Sequence, residues 1–294
     1  MATTQARSAP AVHEATGFFL ALFSALCYST EAVATKFLYG YGLPALTVLV
    51  WRSLAAAALF AAAALWRRTL LPSPGQRLPL VVTGCLQALT ILSLYYAFAR
   101  LPAGLAILLL YLYPAFVTLG GTVFFAERLT PARLGGLLLT FTGLVIVTGA
   151  PASTLLLSGA VYALLAALGN AAFLLLSSRF LEEVPVLTVS TWTIGTAALF
   201  FLALALPQGL IRLATAVPPV LFLLAFLALV PTVFALASLL GAVARIGPSR
   251  TAIIATLEPL FTALLGYLLL GERLAPQQLL GGLLILVAVA LQRR

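Results

Sequence analysis

Long apolar runs separated by short polar joints are the dominant pattern of this chain. The hydrocarbon core of a membrane, about 30 Å thick, is crossed by about 20 consecutive apolar residues in a helix. Joints such as "YGYGLP" from Tyr39 and "LEEVP" from Leu181 are rich in turn-forming residues. The pattern predicts an all-α integral membrane protein with ten transmembrane helices. The predicted spans are residues 17 to 38, 44 to 66, 78 to 98, 103 to 126, 131 to 150, 158 to 180, 185 to 206, 218 to 241, 248 to 271 and 276 to 292.

Composition supports a lipid environment. Hydrophobic residues make up 63% of the chain and charged residues 8%, which leaves too little polar surface for a soluble globule. The formal net charge is +9, yet the basic residues lie singly or in adjacent pairs between apolar runs and form no basic tract. We therefore expect the lipid bilayer as a partner and no nucleic acid.

The basic loop residues predict orientation, because loops rich in Lys and Arg stay in the cytoplasm. With ten spans, both termini and most basic residues fall on one side. That side carries Arg7, Arg67, Arg68, Arg77, Arg128, Arg133, Arg179, Arg245, Arg250, Arg293 and Arg294. The other side carries Lys36, Arg100, Arg212 and Arg273. We expect a multi-pass protein of the cytoplasmic (inner) membrane with both termini in the cytoplasm.

The chain also repeats itself at a fixed offset. The segment "YLYPAFVTLGGTVFFAERLTP" from Tyr111 matches "TLEPLFTALLGYLLLGERLAP" from Thr256, which lies 145 positions later. Upstream, "GFFLALFSALCYSTEAVATKFL" from Gly17 resembles "GAVYALLAALGNAAFLLLSSRFL" from Gly159. The match predicts two five-helix repeats, 17–150 and 158–292. Because five is odd, the second repeat is expected to be inverted in the membrane, as in secondary transporters.

The repeat motif also carries a family resemblance. The run "LEPLFTALLGYLLLGERLAPQQLLGGLLILVAVAL" resembles the C-terminal half of an EamA domain. The whole chain is similar to ten-helix members of the drug/metabolite transporter superfamily, which include bacterial amino acid and metabolite exporters. The resemblance implies export of small molecules from the cytoplasm and does not identify the solute.

Polar side chains at membrane depth are the candidates for a substrate site, since they are costly to place in hydrocarbon. In the first span, Ser24, Tyr28, Glu31 and Thr35 follow helical spacing and share one face. We expect that face to line a central cavity; the alternative is that its hydroxyls cross-link helices. The predicted substrate-binding residues are Tyr28, Glu31, Gln87, Tyr95, Asn170, Trp192 and Glu258.

Glu31 and Arg52 lie at matching depths in neighbouring antiparallel spans. Each is about 10 to 12 Å from the outer end at 1.5 Å per residue. A lone buried charge is costly, so an ion pair is expected. The competing interpretation has Glu31 facing the cavity to meet a substrate amine while Arg52 reaches outward.

Glu258 and Pro259 lie near the middle of the ninth span, and Tyr113 and Pro114 are their counterparts in the fourth. Proline cannot donate a backbone hydrogen bond, so both spans should be interrupted there. We expect Glu258 to contact a substrate amine or to exchange a proton. A structural kink with a protonated carboxyl group is the alternative.

Small residues mark the fifth and tenth spans as packing helices. Gly136 and Gly143 share a face in the fifth span, as Gly281 and Ala288 do in the tenth. The two E-R-L-x-P corners, at 127–131 and 272–276, are interpreted as interfacial turns.

Catalytic motifs are missing from the sequence. It contains no G-x-x-x-x-G-K-[ST] phosphate loop, no H-E-x-x-H and no paired-cysteine metal signature, so we expect no enzyme activity, cofactor or metal. We predict a secondary transporter that exports small polar or amphipathic metabolites, most favourably amino acids, by alternating access. Export of drugs, organic cations or nucleoside-type metabolites remains open, and a membrane-embedded lipid enzyme is the alternative of a different class. A monomer is compatible with the sequence.

Overall fold

The structure is a computed structural model that describes residues 10–98, 109–125, 130–148, 157–211, 217–270 and 276–292. These residues are helical apart from short connections, as expected where no water is present to satisfy backbone groups. The helices of the first half are α1 (Pro10–Gly40), α2 (Ala45–Trp66), α3 (Pro74–Phe98), α4 (Tyr113–Phe125) and α5 (Pro131–Thr148).

The second half begins with α6 (Leu157–Phe180) and α7 (Val186–Ala205). It continues with α8 (Pro218–Ala228), α9 (Ala235–Ile246), α10 (Pro248–Ala255), α11 (Glu258–Leu270) and α12 (Pro276–Gln292). A π-helical turn at Leu229–Phe234 joins α8 to α9. Proline is favoured in the first turn of a helix, because the N–H groups there make no hydrogen bond within the helix and the missing N–H of proline is not needed. Six of the described helices begin at a proline: Pro10, Pro74, Pro131, Pro218, Pro248 and Pro276.

Seven helical segments of the described residues are long and apolar enough to cross a membrane. Two of them are composite: Pro218–Ile246 contains α8, the π turn and α9, and Pro248–Leu269 contains α10 and most of α11. Shorter apolar helices lie at Pro131–Ile146 and Leu279–Ala288. The fourth predicted span is described only from residue 109 to 125. The multi-pass membrane fold is therefore confirmed, while the number ten and the inverted repeat stay predictions.

The fourth and ninth spans are both interrupted where the sequence predicts. Helix gives way to a turn at Tyr111–Leu112 before α4, and at Thr256–Leu257 between α10 and α11. These two breaks are 145 positions apart. At the matching places the Phe116 amide donates to the Leu112 carbonyl at 3.3 Å and the Phe261 amide donates to the Leu257 carbonyl at 3.1 Å.

Helices α2 and α7 run antiparallel and are tied together at both ends. At one end, the Thr188 hydroxyl donates to the Thr69 carbonyl at 2.6 Å. At the other, the Thr47 hydroxyl donates to the Leu210 carbonyl at 2.7 Å and the Trp51 indole N–H to the Ile211 carbonyl at 3.0 Å. Spans that alternate in direction along the chain predict this arrangement.

The expected close packing of the fifth and tenth spans is confirmed. Helices α5 and α12 lie against each other, and a Cβ atom added to Gly143 would lie 2.6 Å from the Gly281 carbonyl oxygen. Ile285 and Ala288 are buried in the same interface region of α12. The two E-R-L-x-P corners fall mainly on residues 126–129 and 271–275, outside the described residues.

Candidate functional site

A buried ion pair joins the first two helices. The turn between α1 and α2 places the helices side by side, and an Arg52 Nη1 N–H donates to Glu31 Oε1. Arg52 is only 5% exposed, and the Glu31 side chain is 28% exposed. The prediction that these residues pair is confirmed. The interpretation in which Arg52 reaches outward, away from Glu31, is wrong.

Glu258 is the first residue of α11, directly after the break in the ninth span. The Tyr111 hydroxyl donates a hydrogen bond to its carboxyl group. The Glu31 carboxylate lies within electrostatic range of Glu258. The break therefore brings one carboxyl group from the second half of the chain beside another from α1.

Two buried tyrosines enclose Glu258 from the other break. The rings of Tyr111 and Tyr113 have centroids 5.8 Å apart and planes inclined at 49°, and both residues are buried. The Tyr113 hydroxyl lies 3.5 Å from the Ala252 carbonyl of α10 and within electrostatic range of Glu258. Aromatic side chains therefore cover the carboxyl group on the α4 side.

Tyr28 completes the group from α1. It lies one turn before Glu31 and within electrostatic range of Glu31, Arg52 and Glu258. We use the term Glu258 cluster for Tyr28, Glu31, Arg52, Tyr111, Tyr113 and Glu258. The cluster contains two carboxyl groups and one guanidinium that is already paired with one of them. Such a site is suited to bind an ammonium group, to stack on an apolar side chain and to hold a proton.

The polar residues that share one face of α1 do not all have the same role. The Ser24 hydroxyl donates to the Ala235 carbonyl at the start of α9, 2.8 Å away, so it cross-links helices as the alternative interpretation expects. Tyr28 and Glu31 belong to the Glu258 cluster. The buried Thr35 hydroxyl has no hydrogen-bond partner among the residues that the structure describes.

Gln87 and Tyr95 lie on α3 and Asn170 lies on α6, so these three candidates are not part of the Glu258 cluster as defined above. Helix α3 packs against α6 and α7. Gln87 is half-buried, and its Oε1 atom lacks a hydrogen-bond partner within the described part of the chain. Asn170 is half-buried beside Gly169, whose added Cβ would lie 2.4 Å from Thr90 Oγ1. The side chain of Tyr95 lies outside the described residues.

The structure does not bring Trp192 to the Glu258 cluster. Its indole N–H donates to the Leu70 carbonyl at 2.9 Å, at the connection between α2 and α3. An indole has an apolar body and one polar edge, so it often finds a backbone acceptor near a membrane surface. This placement favours an anchoring role for Trp192.

Two of the cavities among the described residues are lined by residues outside the Glu258 cluster. One, of about 210 Å³, lies between the α2–α3 and α6–α7 connections and includes Gln76 and Glu183. The other, of about 450 Å³, is a groove between α3 and α6, and half of its lining residues are leucines. We place the candidate site at the Glu258 cluster, because charged groups converge there.

Sequence reasoning missed Tyr111 and did not assign Tyr113 to the site. The repeat register carried a usable signal, since Tyr113 is the counterpart of Glu258. In an inverted repeat, counterparts near the middle of the membrane lie at the same depth, and substrate sites form there at the interface between the repeats.

Comparisons with known proteins identify the kind of molecule. The family model described as "EamA-like transporter family" matches residues 15–149 and again residues 157–293. A Bacillus subtilis protein named "Uncharacterized transporter YcbK" is 26% identical over 280 residues, which cover 91% of this chain and 89% of that protein. A Streptantibioticus cattleyicolor protein named "Probable terminal-alkyne amino-acid exporter" is 28% identical over 195 residues, 66% of this chain and 65% of that protein.

Fold similarity agrees with the family match. A crystal structure with 21% sequence identity superposes with a TM-score of 0.80 and covers 96% of both chains. At that identity the likeness shows the fold alone. The two family matches together cover most of the sequence, and the chain therefore belongs to the EamA-like transporter family.

Proposed function

We propose that this protein exports small amphipathic amines from the cytoplasm, with amino acids as the favoured class, and that solutes bind at the Glu258 cluster. The observation that carries the proposal is the position of Glu258 at a helix break, hydrogen-bonded by Tyr111 and close to Glu31. A carboxylate at membrane depth is costly, and such residues commonly mark the path of a solute or of a coupling ion.

The proposed mechanism is alternating access between two inverted repeats, 17–150 and 158–292, with both termini in the cytoplasm. The paired breaks before Tyr113 and Glu258 support it, because interrupted helices at equivalent depth can act as hinges. The antiparallel contacts of α2 with α7 fit the same topology.

Amino acids are favoured for two reasons. Carboxyl groups and tyrosines in one cluster suit an ammonium group that carries an apolar side chain. The similar Streptantibioticus protein is named as an amino-acid exporter. We propose that Gln87, Asn170 and Tyr95 contact the polar end of the solute. The buried Gln87 Oε1 atom supports this, because it has no hydrogen-bond partner among the residues that the structure describes.

An organic cation is the second candidate. It is favoured by the charge of the cluster, in which Arg52 is already paired with Glu31 and Glu258 has no cationic partner among the cluster residues. An organic cation would neutralise the Glu258 carboxylate. Unlike an amino acid, it has no carboxylate of its own that would need a partner.

Flux assays in proteoliposomes test the proposal. Labelled amino acids and organic cations are loaded, and efflux is compared for the native chain, Glu258→Gln and the exposed control Glu182→Gln. We expect efflux of one class to be lost in Glu258→Gln and kept in Glu182→Gln. Measurement across pH tests whether Glu258 also exchanges a proton. Native flux and pH dependence in a well-folded Glu258→Gln protein would contradict both roles.

A further inference from the structure

The breaks in the fourth and ninth spans meet inside the protein. Helix α4 packs against α10, the Tyr113 hydroxyl lies 3.5 Å from the Ala252 carbonyl, and the Tyr111 hydroxyl bonds Glu258. Residues from one break therefore cover the backbone and the carboxyl group exposed by the other.

Backbone hydrogen bonding at the breaks leaves carbonyl oxygens without their helical donors. A helical carbonyl accepts from the N–H four residues later. For Ala252 that donor is Thr256, whose amide instead donates to Ile253 at 3.2 Å. For Ala255 the donor position is Pro259, which has no N–H. The same holds for Leu110, four residues before Pro114.

The carbonyl oxygens of Ala252 and Ala255 lie on the same side of the break in the ninth span. Ala252 and Ala255 are three residues apart and therefore lie on one face of α10. Their carbonyls point towards the C-terminal end of the helix, which carries a partial negative charge. Glu258 follows that end directly, and the Glu31 carboxylate lies within electrostatic range of Glu258. The result is a group of oxygen acceptors beside a carboxyl group, the ligand type that hard cations prefer.

We propose that this junction binds a monovalent cation through the Glu258 carboxylate and the Ala252 and Ala255 carbonyls. In the present structure the Tyr111 hydroxyl interacts with the Glu258 carboxyl group and the Tyr113 hydroxyl with the Ala252 carbonyl. Both hydroxyls leave these oxygens when the cation binds. The cation is an alkali-metal ion or the ammonium group of a solute, which share a compact positive charge that oxygen atoms can surround. Only the ammonium case rests on the proposed export function.

The test is a cation titration of the purified full chain in detergent. The midpoint of thermal unfolding is measured with sodium, potassium or methylammonium chloride, which have the same ionic strength at equal concentration. A ligand that binds the folded state raises this midpoint in a saturable way. We expect Glu258→Gln to raise the half-saturating concentration about tenfold or more, since it removes the half-buried charge that faces the cation. Glu182→Gln, at an exposed acidic residue, is expected to titrate like the native chain.

A proline variant tests the backbone ligands. Pro259→Ala restores an N–H for the Ala255 carbonyl and should weaken cation binding about threefold, while leaving Glu258 in place. Pro231→Ala is the matched control, because the Leu227 carbonyl four residues earlier already accepts the Thr232 hydroxyl at 2.7 Å. If Glu258→Gln does not fold, the two proline variants decide the question.

The outcomes separate the possible sources of the cation. Saturation by sodium or potassium assigns an alkali ion, and saturation by methylammonium alone assigns a solute ammonium group; each supports the site. A native chain whose midpoint responds alike and without saturation to all three salts overturns the proposal. So does a saturable response that neither Glu258→Gln nor Pro259→Ala weakens. Saturation without amino acid or organic cation flux contradicts the export function and leaves the cation site standing.

Discussion

Arg52 of α2 reaches Glu31 of α1 inside the protein, so these two charges on neighbouring membrane helices neutralise each other. Removing one partner of a buried pair leaves an uncompensated charge, which costs about 3 to 5 kcal/mol. Glu31 retains some exposure, so we place the cost towards the lower end of that range.

The first prediction concerns this pair. Glu31→Gln and Arg52→Gln should each lower the thermal unfolding midpoint, and the double variant should recover most of the loss because no charge remains. Thermal unfolding of the four proteins in one detergent measures the coupling energy. Losses that simply add in the double variant would show that the pair contributes no coupling.

The second prediction concerns the contact between α5 and α12. Gly143→Ala places a methyl group 2.6 Å from the Gly281 carbonyl oxygen, so we expect a loss of about 1 to 3 kcal/mol. Gly135→Ala in the same helix is the control, because its added Cβ meets no atom within 4 Å. Alanine is a better helix former than glycine, so that variant should be neutral or stabilised. Equal stability of the two variants would argue against close packing at Gly143.

The third prediction separates anchoring from solute binding at Trp192. Trp192→Phe removes the indole N–H that bonds the Leu70 carbonyl, which should cost about 1 kcal/mol of stability. The KM for solute efflux should stay unchanged. Trp66→Phe, at a residue that is 81% exposed, is the control and should alter neither quantity. A raised KM with unchanged stability would indicate that Trp192 contacts the solute.

The fourth prediction concerns the inverted repeat. Cysteines introduced at Thr130 and Ala275, in a chain whose Cys27 and Cys85 are replaced, should react with an impermeant thiol reagent from opposite sides of the membrane. The positive-inside pattern assigns Thr130 to the cytoplasmic side. Labelling of both positions from one side would exclude the inverted arrangement.

Features that depend on one helix or on adjacent spans were predictable from the sequence. Apolar run length indicated the membrane helices, and equal depth in neighbouring spans indicated the pairing of Glu31 with Arg52. The breaks before Tyr113 and Glu258 followed from Pro114 and Pro259, because a missing N–H acts locally.

Features that depend on packing between distant helices were not predictable in this way. Periodicity shows that Ser24 and Glu31 share a face, but it does not show that Ser24 faces α9. The contact of Tyr111 with Glu258 arises only when the two breaks meet. The bounds predicted for the eighth span, 218 to 241, do not indicate the π-helical turn at Leu229–Phe234, in which Pro231 lies. Proline there made a distortion foreseeable without specifying its type.

The ties at both ends of α2 and α7 restrict how this part of the protein can move. A slide of one helical turn along the partner, about 5.4 Å, would break the bonds of Thr47 and Trp51 at one end and of Thr188 at the other. Tilting the two helices together breaks none of them. The α2–α7 pair should therefore tilt as one rigid unit. Because α1 is joined to α2 through Glu31 and Arg52, such a tilt should also move α1 at the depth where the solute is proposed to bind.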